Sequence, residues 1–99
     1  MALGDRALER EVLTMFLAQT GRIVDTLAGE PADANALAHT LKGSARAIGA
    51  FAVADRAAAL EVVLQKGDKA DAALAALREA LADARAAIEA VLKNSRSAP

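Results

Sequence analysis

Apolar residues recur at three- and four-residue steps along the first third of the chain. Leu8, Val12, Met15, Phe16, Ile23 and Leu27 fall on one stripe, the spacing a buried helical face requires. A helix is therefore expected over about 5–27. Gly29, Glu30 and Pro31 close it, because Gly suits a helix C-terminus and Pro disfavours helix in the residue before it. A second helix is expected over about 33–48, opening at Asp33 as its N-cap and ending at Gly49. A third, over about 51–65, sets Val53, Ala57, Leu60 and Leu64 on one face, with Lys66, Gly67 and Asp68 as its stop and turn. The fourth, over about 69–92, carries Leu74, Leu77, Leu81, Ile88 and Val91 in near-heptad register. The polar residues 94–99 are expected to form a disordered tail. No segment alternates as a strand would. Four amphipathic helices with short connections predict one all-α domain over 1–99, an antiparallel up-down-up-down four-helix bundle.

Composition narrows what such a bundle can do. The 99 residues suffice for a core without metal or disulfide staples. A net charge of -1, with acidic and basic residues intermixed, argues against a nucleic-acid partner. The absence of Cys removes disulfide frameworks, thiolate nucleophiles and Cys-ligated zinc. Charges stand where a signal peptide would be apolar, and no apolar run approaches the roughly 18 residues of a membrane span. The chain is expected to be cytoplasmic, off the membrane, and a monomer, since four helices can close one core. Aromatic residues are 2% of the total, both of them Phe, which leaves no stacking platform for bases or sugars. Alanine supplies roughly a quarter of the chain and lets helix axes approach closely.

On a wheel of ~100° per residue, the second helix divides into two faces. Leu37, Leu41, Ser44 and Ile48 turn toward the core. His39, Lys42, Gly43 and Arg46 gather on the other side, with Asn35 one turn before the histidine. The chain's one histidine is thus expected in solvent, midway along a helix. An ordinary solvated face can carry His, Lys and Arg in this way. Gly43 is harder to account for, since Gly costs about 1 kcal/mol relative to Ala inside a helix. A partner descending onto the imidazole would need the space that a side chain there would fill.

Few chemistries fit these residues. One His without an H-x-x-x-H pair is poor material for a metal site. Ser44 lies about 140° around the wheel from His39, too far for a Ser–His couple. No glycine-rich phosphate loop is present. What remains is His39 acting alone as a nucleophile. An unperturbed imidazole, with a pKa of about 6.5, is mostly neutral near pH 7 and keeps one ring nitrogen free. That nitrogen can accept a phosphoryl group, and nearby cations stabilise the charge that arrives with it.

The stretch HTLKGSARAIGA, from His39 to Ala50, closely resembles the phosphoacceptor motif of histidine-containing phosphotransfer (HPt) domains. These four-helix modules relay phosphate between response-regulator receiver domains. The shared pattern is the His, an apolar residue at +2 (Leu41), Lys42, Gly43, small Ser44 and Ala45, then Ile48, Gly49 and Ala50. The resemblance implies phosphorylation of His39 on Nε2. It implies that Lys42 helps hold the phosphoryl oxygens and that Gly43 admits the receiver's loops. It implies a third-helix residue, here Glu61, hydrogen-bonded to Nδ1, and a positive field from Arg46 toward an acidic receiver pocket. Expected partners are receiver domains, with a hybrid histidine kinase as a further candidate. No cofactor is expected on this chain; Mg²⁺ would belong to the receiver. Lacking an ATP-binding apparatus, the chain would be a phosphocarrier rather than a kinase. The alternative is a helical module that docks a receiver or kinase and modulates it without carrying phosphate.

Overall fold

The computed structural model describes the backbone of residues 5–97 and the side chains of residues 6–93. Over these the chain forms four helices: α1 Asp5–Ala28, α2 Ala34–Ile48, α3 Phe51–Gln65 and α4 Asp71–Ser97. Each helix packs on its two neighbours in a ring, while the diagonal pairs stay apart. Two long-range hydrogen bonds give the sense of α1 against α4. The Arg10 guanidinium donates to the Leu92 carbonyl at 3.2 Å, and that of Arg85 to the Leu17 carbonyl at 3.4 Å. Low numbers on one helix meet high numbers on the other, so the pair is antiparallel. The fold is the expected all-α four-helix bundle.

The core is a column of aliphatic side chains, with Leu41, Leu60, Leu77 and Val53 fully enclosed. Thr20 is enclosed with them, its hydroxyl donating back to the Phe16 carbonyl at 2.8 Å. Alanine fills the tightest seam. Ala38 and Ala45 on α2 and Ala54 and Ala57 on α3 are all buried. With so little side chain between them, the axes of these two helices can approach closely.

The buried faces differ from the expected ones in three places. Leu8, Val12 and Met15 are exposed, because α1 carries two apolar stripes roughly 110° apart. Only one can face the bundle, and Phe16, Leu17, Thr20, Ile23, Val24 and Leu27 take it. In α2 the buried line is Ala38, Leu41 and Ala45, whereas Leu37, Ser44 and Ile48 are half-buried. The core face is thereby rotated toward Lys42. Val91 is exposed, on the wall of a groove that it lines with Leu8, Val12 and Ile48. At 1.5 Å per residue α1 and α4 are about 36 and 40 Å long, against about 22 Å for α2 and α3.

Helix ends show further differences. Asp33 occupies the N-cap position of α2, but with ψ 25° its side chain makes no capping hydrogen bond. At the end of α1 the left-handed residue is Glu30, with φ 54°, rather than Gly29. The fourth helix begins at Asp71 instead of Lys69 and continues through Ser97, since nothing between Lys93 and Ser97 breaks a helix. Ala98 and Pro99, the end of the expected tail, lie outside the described residues.

The α2–α3 turn is the tightest connection. Gly49 adopts φ 83°, a left-handed conformation that costs glycine little. Its N–H reaches the Arg46 carbonyl at 3.2 Å, and the Ala50 N–H reaches Ala45 at 2.8 Å. This pair of bonds is the Schellman closure of a helix C-terminus. Phe51 then starts α3 after only Gly49 and Ala50, so the pairing of α2 with α3 is set by a two-residue loop.

Candidate functional site

Midway along the α2–α3 seam, three side chains meet. His39 and Lys42 stand three residues apart on α2, and therefore on neighbouring positions of one helical face. Glu61 comes across from α3. His39 Nδ1 lies 2.9 Å from Glu61 Oε2, and Lys42 Nζ lies 2.6 Å from Glu61 Oε1. One carboxylate thus serves both residues, with a separate oxygen for each.

Burial differs steeply across the cluster. The His39 side chain is 68% exposed, Lys42 19% and Glu61 11%. A carboxylate so enclosed is costly unless both oxygens are paired, and here both are. The hydrogen bond from Lys42 holds the Glu61 carboxyl below the usual carboxylate range, helped by that from His39 and opposed by burial. An ionised carboxylate can only accept hydrogen bonds, so the proton on the contact with His39 sits on Nδ1. In the neutral ring, Nε2, on the edge away from Glu61, then keeps its lone pair.

Around this cluster the helix is bare. A Cβ built on Gly43 would meet nothing within 4 Å. No contact inside the molecule requires glycine there. Arg46 is exposed in the last turn of α2, about 10 Å along the axis from His39. A cation at that position also complements the helix dipole. The principal surface grooves are lined by other residues, with His39 in none of them. A histidine 68% exposed and outside these grooves suits a reactant delivered by a macromolecule better than a small molecule held in a cleft.

Of the residues singled out from the sequence, His39, Lys42 and Glu61 are brought together, Gly43 lies open beside them, and Arg46 stands apart. Two features were not foreseen. Lys42 is half-buried against Glu61 instead of projecting into solvent. The alanine seam that lets Glu61 reach α2 was not located either, although its spacing is visible afterwards in Ala38, Ala45, Ala54 and Ala57. Among the described residues, no group of three His, Asp or Glu side chains could hold a metal ion, and no helix is long and apolar enough to cross a membrane.

No curated protein and no solved structure matches the chain. A family model does match, for the Hpt domain, and it extends over residues 11–93. That span takes in the whole of α2 and α3 with the His39–Glu61–Lys42 cluster between them. The chain belongs to the Hpt domain family, the histidine phosphotransfer modules of two-component phosphorelays.

Proposed function

We propose that this chain carries a phosphoryl group on Nε2 of His39 between aspartates of response-regulator receiver domains. The observation that carries the reading is the Nδ1 contact to a buried, ionised Glu61, which leaves Nε2 as the free nucleophile on an exposed face. In the forward step the Nε2 lone pair attacks phosphorus of a receiver's aspartyl phosphate. An N–P bond forms, the P–O bond breaks, and the aspartate carboxylate leaves with the electron pair. The ring, now substituted on both nitrogens, is cationic. Glu61 faces the Nδ1–H and offsets that charge. The reverse sequence delivers the group to a second receiver.

Mg²⁺ in the receiver's acidic pocket would neutralise the transferring oxygens. Gly43 offers clearance for that pocket's loops, and Arg46 adds a cation facing it. A hybrid histidine kinase bearing a receiver is a further partner of this kind. The chain acts as a phosphocarrier without ATP-dependent kinase activity, in the cytoplasm where such receivers work. Because all three clustered residues come from one chain, a monomer suffices.

The test mixes the protein with a labelled phospho-receiver and Mg²⁺, beside a His39→Gln control. Acid-labile, base-stable label is expected on the wild type and absent from the variant. Receiver binding without any transfer of label would favour the docking module instead.

A further inference from the structure

Apolar surface is left uncovered where α1 meets the last turn of α2 and the second half of α4. Leu8, Val12, Leu13, Ile48 and Val91 line a groove there, together with Glu9. Leu8, Val12 and Val91 are 57%, 43% and 51% exposed, so no other part of the described chain closes over them. Pockets for small molecules combine apolar walls with several convergent polar groups. Glu9 is the one polar side chain among these groove residues, which suits a protein surface better.

The charges on α1 select which protein. On the helical wheel Leu8 and Val12 form one edge of the groove face, Arg6 in line with Leu13 forms the other, and Glu9 lies between. Arg6 and Glu9 are three residues apart and both exposed. Among the described residues neither enters an ion pair. A partner surface of a single sign would be repelled by one of them. A two-fold axis passing between them instead sets α1 antiparallel to its copy and brings Arg6 of each chain to Glu9 of the other, twice over. The same rotation gathers the Leu8 and Val12 edges of both chains on one side of the contact. We infer that this groove is the contact between two copies of the chain, a symmetric dimer in which α1 packs antiparallel on its copy. So few groove residues, against about 20–30 a side in a standard interface, make the association reversible. His39 remains free in such a dimer, because Ile48 is nine residues further along α2, about 13 Å, and on the opposite side of that helix. The inference therefore does not depend on the phosphocarrier reading.

Sedimentation equilibrium of the full chain, from about 10 to about 500 µM, reads the association directly. The expected mass rises from one chain toward two across that range. Val12→Glu is expected to hold it at one chain throughout, with helix content unchanged by circular dichroism because Val12 is already half exposed. Glu9→Arg should weaken association about tenfold, since two pairs turn repulsive at once. Adding Arg6→Glu restores the unlike pairs in reverse and should bring association back to within about twofold of wild type. His39→Gln should associate as the wild type does. A single-chain mass at the highest concentration overturns the inference. So does a dimer indifferent to Val12→Glu, or one that the charge swap fails to rescue. A wild type that stays single while Val12→Glu abolishes its binding to a receiver would assign the groove to the receiver instead.

Discussion

Gly43 isolates what one missing side chain does. A methyl group at this position would meet no neighbour, so the fold gains nothing from its absence and loses helix propensity. Gly43→Ala is therefore expected to stabilise the protein by about 1 kcal/mol in chemical denaturation. A longer residue should leave the fold intact and obstruct a docked receiver. Gly43→Gln transferring phosphate at the wild-type rate would refute that steric account. Both the glycine and the histidine were legible in the sequence because each breaks a local expectation: glycine inside a helix, and a lone imidazole on a polar face. Glu61 was less legible. An acidic residue on a helix normally signals solvent, and only the pairing of both its oxygens explains how it comes to be enclosed.

At the scale of the helix, alanine was the main obstacle to reading the buried faces. In a chain with alanine on every side, Ala38 and Ala45 mark neither core nor surface, yet both are fully buried. Leucine and isoleucine drew the expected α2 face toward Leu37 and Ile48, away from the seam where Lys42 and Glu61 meet. The first half of α1 misled for a related reason, since Leu8, Val12 and Met15 match a helical period as well as the stripe that is buried. Helix ends obey finer geometry. Glu30 holds a left-handed conformation just before Pro31, which costs a non-glycine residue roughly 1–2 kcal/mol. Glu30→Gly should recover about 1 kcal/mol of this, after the greater entropy of the unfolded glycine is counted. A melting point higher by about 5 °C is the expected reading for a chain of this length.

Across the whole molecule, the four helices and their order were plain from periodicity and breakers, because each connection contains Gly or Pro. The interior they enclose is almost wholly apolar. Among the described residues, Thr20 and Glu61 are the buried polar ones, and Glu61 alone can carry charge. Global stability should therefore register its protonation. The folded-state value of Glu61 lies below its ordinary 4.5, so its contribution is fully present above that pH. It is lost as pH falls through the folded value, where the unfolded chain has already taken up the proton. Urea titrations at stepped pH should show unfolding free energy falling below about pH 4.5. The decline should be shallower in Glu61→Gln, and an identical slope in both proteins would remove Glu61 from the acid response.

The two-residue turn at Gly49–Ala50 has a consequence for how this chain can vary. It works as a ruler: counted outward along two rigid arms, it decides that residue 39 faces residue 61. One inserted residue would rotate an arm by ~100° and carry the carboxylate away from the imidazole, though every site residue remained in the sequence. The loops at either side of this hairpin bear no such constraint on the cluster. Length changes, new termini from circular permutation and grafted segments therefore belong at the α1–α2 and α3–α4 connections, and the central hairpin is the unit to be inherited whole.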